Sequence, residues 1–172
     1  LEVNEFAARL AQVAIWIGYL QWRYEAEKRL IPYRDGDEPT PHTLPNPILS
    51  DSSIFNADAI LRYDEAGRPY EPEWPAATVI VGNPPFLGTK KLRSELGSRY
   101  VRDLFKVYEQ RIPGFSDLVC YWFEKARAHI ASGQAKRAGL IATNSISEGQ
   151  NRRVLEAIKS SGDIFMAWSD RD

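Results

Sequence analysis

Four consecutive residues, Asn83, Pro84, Pro85 and Phe86, have side chains suited to chemistry on an amine. The amine of a base or an amide is a poor nucleophile because its lone pair is delocalised. Two acceptors beside its hydrogens, the Asn83 side-chain oxygen and the Pro84 carbonyl, would favour a pyramidal nitrogen with a free lone pair. The prolines hold these acceptors fixed, and Phe86 offers an apolar ring on which a flipped base can stack. We therefore predict an active site at this turn.

A structural interpretation of the same turn stays open at this point. Prolines end a strand because each fixes φ and removes a backbone donor, and Phe86 could simply fill the core. A phosphate-binding Gly-x-x-x-x-Gly-Lys-Ser/Thr loop, by contrast, does not fit the spacing. The position five residues after Gly82 is Leu87, and Gly88 is followed by Thr89 rather than by a lysine. The turn is therefore either a site for a planar amine or the end of a strand.

The elements that would position the turn alternate between strand and helix. The β-branched run at 77–81 predicts a strand buried on both faces of a parallel sheet, and open α/β folds bind ligands at the carboxyl end of such strands. The segment after the turn, 87–93, is basic and is predicted to be mobile. Further strands are predicted at 1–4, 53–56, 138–143 and 164–168, and helices at 5–23, 98–110, 116–132 and 151–160. This order of elements predicts an α/β fold with a parallel sheet.

Two of the predicted helices carry informative side chains. The first has apolar residues over most of its circumference, which is typical of a helix packed on more than one side. The third begins at Ser116, a suitable N-cap, with Asp117 in its first turn. On the same helix Cys120 is predicted to be a buried thiol rather than a nucleophile, and Glu124 and Lys125 a solvent-facing pair.

The composition is that of an ordinary globular chain of 172 residues with a net charge of −1. Its length indicates one domain, residues 1–172. A charge near zero argues against nucleic-acid binding over the whole surface, so any phosphate contact must be local, and we assign it to Lys90, Lys91 and Arg93 because they follow the turn directly. His42 has no second ligand at metal spacing, so no metal site is predicted.

The composition also bears on membrane association and on the cellular compartment. No apolar run approaches the roughly 18 residues that span a bilayer, so no membrane association is expected. The chain has a single cysteine, which fits a reducing cytoplasm.

Several blocks, in order along the chain, resemble the methylase core of single-chain type IIL restriction–modification enzymes. These are amino-methyltransferases that act on adenine in DNA and carry an Asn-Pro-Pro-aromatic turn. The similar blocks are residues 1–4, 14–22, 82–88, 117–126 and 142–146. Because five ordered blocks are far more specific than one tetrapeptide, the resemblance covers nearly the whole chain.

The resemblance implies a Rossmann-like class I methyltransferase that transfers a methyl group from S-adenosylmethionine to the exocyclic amine of a flipped adenine in double-stranded DNA. The turn 83–86 would be catalytic, and the basic trio beside it would contact DNA phosphates. For the cofactor, Glu2 would accept the ribose hydroxyls, Asp58 would bind the adenine amine, and Trp122 would line the adenine ring. Core packing is an alternative role for Trp122.

The sequence also departs from this family. No Gly-x-Gly occurs in it, so the loop that holds the methionine part of the cofactor is absent, as are the first and last strands of the sheet. We expect the chain to be an incomplete catalytic domain, inactive alone, with a target-recognition domain outside it; the sequence does not decide whether a nuclease is fused. Two alternatives remain: methylation of RNA or of a protein glutamine, and a catalytically dead α/β binding module.

Overall fold

The structure is a computed structural model that describes residues 5–30 and 56–168. The chain divides into two compact units, residues 1–58 and 59–172. The predicted strand at 1–4 and most of the one at 53–56 lie outside the described residues.

The described part of the first unit contains one long helix, α1 (Glu5–Leu30), which confirms the predicted helix and extends it. Its described apolar side chains, among them Phe6, Leu10, Leu20 and Trp22, are exposed. The prediction that this helix is packed on several sides is therefore wrong for these side chains, since no second element is described in this unit for them to pack against. No described helix is long and apolar enough to cross a membrane.

The second unit is a mixed α/β arrangement with two small sheets. Strands β1 and β2 form an antiparallel pair, and strands β3 and β4 form a parallel pair in which Val79 lies opposite Arg137 and Gly82 opposite Leu140. Helices α2, α3 and α4 lie between β3 and β4 in the chain, as a parallel connection requires. In chain order the elements are β1 (Arg62–Tyr63), β2 (Pro69–Tyr70), β3 (Val79–Gly82), α2 (Thr89–Leu96), α3 (Ser98–Val107), α4 (Val119–Ala131), β4 (Arg137–Leu140), a 3₁₀ turn (Asn144–Ser147) and α5 (Arg152–Ser161).

In this unit all three predicted helices and two of the three predicted strands are confirmed with shifted ends. Helix α4 ends at Ala131, and Gly133 follows two residues later as predicted, with a positive φ of 76° that suits a residue without a Cβ. Two predictions are wrong. The segment after the turn is not a mobile loop throughout, because α2 begins at Thr89, and the predicted strand at 164–168 has no regular structure and no strand partner.

Strand β3 is less buried than its sequence predicts. Val79 is 51% exposed and Val81 is 82% exposed, so the prediction of two buried faces is wrong. The reason is that side chains of α2 to α5, of the connection between α3 and α4 and of the segment 59–61, rather than the sheet, form the buried cluster. Its members are Ala59, Ile60, Leu61, Leu92, Val101, Leu104, Tyr108, Ile112, Leu118, Val119, Cys120, Tyr121 and Val154.

Helix α4 contributes Val119, Cys120 and Tyr121 to this cluster and confirms the prediction for its thiol. Cys120 is fully buried and free, and burial raises its pKa to about 12. A thiol in this state is a core residue, because the reactive thiolate does not form near neutral pH.

Glu124 and Lys125 of α4 are buried, so the prediction of a solvent-facing pair is wrong. Arg127 donates to both Glu124 carboxylate oxygens, each at 2.7 Å. Lys125 donates to Glu71 at 3.2 Å and lies 4.9 Å from the ring centre of Trp74. Burial lowers the pKa of Lys125, and the Glu71 carboxylate opposes that shift. The segment that holds Glu71 covers this side of α4, and the helix sequence alone contains no sign of it.

Candidate active site

The loop 83–88 joins the carboxyl end of β3 to α2. Gly82 ends the strand, and its carbonyl accepts a hydrogen bond of 3.1 Å from the Ile141 N–H, so the strand pair continues to the start of the loop. Pro84 is buried, whereas Asn83 and Phe86 are exposed, Phe86 by 48%. The loop therefore has a buried proline as its base and presents an amide and an aromatic ring to solvent.

Neither of the two presented groups is used internally. Within the described residues the Asn83 side chain has no hydrogen-bond partner, and the Phe86 ring is not part of the buried cluster. The interpretation of Phe86 as a core residue is therefore wrong. An exposed amide and an exposed ring three residues apart can receive a flat molecule with an amine on its edge.

The far end of the loop is tied to the segment that precedes α4. The Leu87 carbonyl accepts a hydrogen bond of 2.9 Å from the Leu118 N–H. Thr89, the first residue of α2, donates its N–H to Asp117 Oδ1 at 2.9 Å and its hydroxyl to the Phe115 carbonyl at 2.6 Å. These bonds fix the point at which the loop becomes a helix.

Asp117 also holds the segment after β4. Its Oδ2 accepts hydrogen bonds from Ser145 Oγ at 3.0 Å and from Asn151 Nδ2 at 2.8 Å. Asn151 in turn accepts the Asp117 N–H at 2.9 Å. Burial raises the pKa of Asp117, but the hydrogen bonds from Thr89, Asn151 and Ser145 outweigh it and the pKa is lowered overall. The carboxylate is therefore charged at neutral pH.

The predicted N-cap of α4 is wrong. Ser116 is buried and donates its hydroxyl to the Pro113 carbonyl at 2.8 Å, while Leu118 occupies the cap position without a side-chain hydrogen bond. The Asp117 side chain instead points to α2 and α5. A sequence pattern identifies a capping residue by its neighbours in the chain, and here the partners lie 28 and 34 residues away.

The structure describes two of the three predicted cofactor residues. Glu2 lies outside the described residues. Asp58 is half-buried and is the last residue of the first unit. Trp122 lies in the first turn of α4, half-buried against the core, in the helix that follows the Leu118 contact to the loop. Cofactor roles for all three stay predictions.

The predicted phosphate contacts lie on α2. Lys90, Lys91 and Arg93 are all exposed, and Lys90 and Arg93 share one face of the helix because they are three residues apart. Within the described part of the chain no group of three His, Cys, Asp or Glu side chains could hold a metal ion.

A pocket of about 400 Å³ lies elsewhere in the second unit. No residue of the loop 83–88 lines it, so it is not the candidate site. Its lining residues are Phe105, Lys106, Glu109, Ile112, Gly114 and Tyr121.

Comparison with known proteins gives two matches. The family model described as "MmeI, DNA-methyltransferase domain" matches residues 1–170. The chain is also 25% identical over 155 residues to DNA methyltransferase A of Bacillus subtilis (strain 168), which covers 90% of this chain but only 16% of that relative. No solved structure matches the chain.

Proposed function

Because the chain belongs to the family of the MmeI DNA-methyltransferase domain, we propose that it is catalytic sequence of a site-specific DNA adenine methyltransferase. In this proposal residues 1–172 are part of one Rossmann-like methyltransferase domain, and the acceptor is the exocyclic amine of a flipped adenine in double-stranded DNA. The observation that carries the proposal is the exposed Asn83 amide, which has no hydrogen-bond partner among the described residues, in the same loop as the exposed Phe86 ring at the carboxyl end of β3.

The loop would act by accepting hydrogen bonds rather than by moving protons. The Asn83 side-chain oxygen and the Pro84 carbonyl each accept one hydrogen of the adenine amine, so that its lone pair is directed away from them. Both acceptors belong to a loop stiffened by two prolines, and groups already in place do not have to reorganise during the reaction. Phe86 stacks on the base and replaces the stacking that the base loses on leaving the duplex.

S-adenosylmethionine would supply the electrophilic methyl group. For its adenosine part we propose Asp58, which is half-buried and belongs to the first unit, and Trp122, which is half-buried and belongs to the second unit. Glu2 is proposed for the ribose hydroxyls, as acidic residues serve in other nucleotide-binding folds. The sequence contains no glycine-rich loop for the methionine part.

Replacing the stacking ring should weaken use of the base. We expect Phe86→Ala in the intact protein to raise the KM for DNA by about 5- to 150-fold, which corresponds to the 1 to 3 kcal/mol of one base–aromatic contact. Phe86→Trp keeps a flat ring and should retain the wild-type KM. Steady-state methylation of duplex DNA measures both. Phe165→Ala, which removes another exposed ring of the same unit, is the control, and an equal effect there would contradict a stacking role.

The basic residues of α2 are proposed to contact the DNA backbone. We expect Lys90→Gln to lower DNA affinity and to reduce the slope of log K against log salt concentration by about 0.9, the effect of one lost phosphate contact. The same measurement on Lys159→Gln, an exposed lysine of α5, controls for the change in net charge. Equal slopes for the two variants would remove the proposed contact. Lys91 and Arg93 are open to the same test.

The proposed function has one direct test. The intact protein is incubated with S-adenosylmethionine labelled in its methyl group, and incorporation into duplex DNA, RNA and protein is compared. We expect label in the amine of adenine in DNA. Label in RNA or in glutamine would favour the alternative acceptors, and no transfer to any of them would favour a catalytically dead module.

The wider setting is also part of the proposal. The resemblance of the sequence blocks to type IIL enzymes supports a restriction–modification role, with a target-recognition domain and a nuclease outside these residues. The free, buried Cys120 is consistent with a reducing cytoplasm. Cleavage of unmethylated DNA by the intact protein is the measurement that decides whether a nuclease is present.

A further inference from the structure

The segments that follow the two parallel strands leave the sheet at the same edge. Gly82 of β3 lies opposite Leu140 of β4, so the loop 83–88 and the segment 141–147 start side by side. Asp117 lies between them and bonds to a residue beyond each strand, Thr89 on one side and Ser145 on the other. One carboxylate thus joins the continuations of both strands.

Three donors around this carboxylate are arranged so that only a carboxylate satisfies all of them. Oδ1 accepts from the Thr89 N–H at 2.9 Å, while the single hydroxyl hydrogen of Thr89 is donated to the Phe115 carbonyl at 2.6 Å. Oδ2 accepts from Ser145 at 3.0 Å and from Asn151 at 2.8 Å. An asparagine at this position has one acceptor oxygen and one NH₂ group, so in either orientation its NH₂ faces donors. Bonds to a charged acceptor are also the stronger ones.

Thr89, which Asp117 holds, is close in the chain to the exposed Asn83 and Phe86 side chains. Thr89 follows Phe86 by three residues, and the Leu87 carbonyl between them is held by the Leu118 N–H. The other end of the loop is held where the Gly82 carbonyl accepts from Ile141. Pro84 and Pro85 each have a fixed φ, which reduces the number of free torsions between the two anchors.

We infer that Asp117 is a positioning residue for the loop 83–88, which it holds by its bond to Thr89 so that Asn83 and Phe86 keep one orientation toward the base. The role rests on the proposed function as far as the base is concerned, but the anchoring itself does not. Asp117 touches neither the amine nor the methyl donor in this role, and its loss misplaces groups that do.

The test uses Asp117→Asn in the intact protein. Hydrogen exchange of the peptide covering residues 83–92 should be faster than in the wild type, because the Thr89 amide loses its charged acceptor. The kcat for DNA methylation should fall by about tenfold to 100-fold, the effect of a small misplacement of reacting groups, while the Kd for S-adenosylmethionine stays unchanged. Unchanged exchange, or faster exchange with an unchanged kcat, would overturn the inference.

Asp103→Asn is the matched control. Asp103 is 9% exposed, accepts a hydrogen bond of 3.1 Å from the Tyr63 hydroxyl and pairs with Arg99 and Arg102, with no contact to the loop in the described structure. This variant loses a comparably bound carboxylate, so a general loss of stability would lower kcat in both variants. We expect kcat to fall only in Asp117→Asn, and an equal fall in both would overturn the positioning role.

Two further measurements distinguish failure of the anchoring role from failure of the proposed function. If Asp117→Asn does not fold, exchange of the Thr89 amide in the wild-type protein replaces it. This N–H belongs to the first residue of α2 and donates to Asp117 Oδ1, so protection of the amide supports the anchor and exchange at the rate of a free peptide overturns it. If the wild-type protein methylates no acceptor, the proposed function fails. The anchoring is then decided by the exchange measurement on its own.

Discussion

Asn83→Ala in the intact protein is expected to lower kcat for DNA methylation by about 10²- to 10³-fold, the usual effect of removing one preorganised group that acts on the reacting atom. The exposed Asn83 amide has no internal partner in the described residues, so the substitution leaves no buried group unsatisfied and the fold should persist. Binding of S-adenosylmethionine should therefore be unchanged. Single-turnover transfer of labelled methyl groups to duplex DNA measures the effect on the chemical step.

Two variants define what this result means. Asn83→Asp keeps an acceptor oxygen in the same place and should retain much more activity than the alanine variant. Gln110→Ala removes an exposed amide from a turn of the same unit and should behave as wild type. Undiminished methylation by Asn83→Ala would remove the proposed mechanism and leave only the family membership.

The position of the site could be predicted from the sequence because its signals are local. A β-branched run followed by Gly82, Asn83 and two prolines specifies a strand, its end and a stiff loop without reference to any distant residue. The helices were predictable for the same reason, since apolar residues at helical spacing in α3 and α5 lie within a few turns of one another. Their ends shifted by a few residues, as termini commonly do.

The hydrogen bonds that hold the loop 83–88 could not be predicted, because their partners lie far apart in the chain. Asp117 is 28 residues from Thr89 and 34 from Asn151, and a capping pattern at Ser116 offered a simpler local interpretation. The prediction that β3 is buried is wrong for a related reason. Val79 and Val81 are apolar residues, but their burial depends on which elements pack on the sheet.

Lys125 shows the same limit within one helix. Its partner Glu71 is 54 residues away, and the segment that carries Glu71 and Trp74 turns a charged pair on α4 into buried side chains. Buried charges with long-range partners are therefore the features most informative to test, since their removal affects the packing of α4 against segments that the sequence alone leaves unconnected.

Glu124→Ala is expected to destabilise the second unit by about 1 to 3 kcal/mol, because it leaves the half-buried Arg127 guanidinium without its carboxylate. Glu124 is 1% exposed, and both of its oxygens accept hydrogen bonds of 2.7 Å from Arg127, which is itself 22% exposed. Hydrogen exchange of α4 peptides in the intact protein measures the free energy of opening. Replacing both Glu124 and Arg127 by apolar residues should cost less than the single change, since the Arg127 guanidinium is then not left unpaired. Arg111, which lies 3.7 Å from Glu124, keeps its pair with Glu71.

Glu156→Ala is the comparison that isolates burial from pairing. Glu156 also pairs with an arginine of its own helix, Arg152, at 3.2 Å, but both side chains are more than half exposed. An exposed pair of this kind contributes only about 0 to 1 kcal/mol, since water screens the charges and hydrates each one after the other is removed. If the two alanine variants lost equal stability, burial of Glu124 would not be what makes its pair important. We expect the difference to be several-fold and to be visible in exchange of α4, which carries both Glu124 and Arg127. Arg111, the second cation near Glu124 at 3.7 Å, precedes that helix.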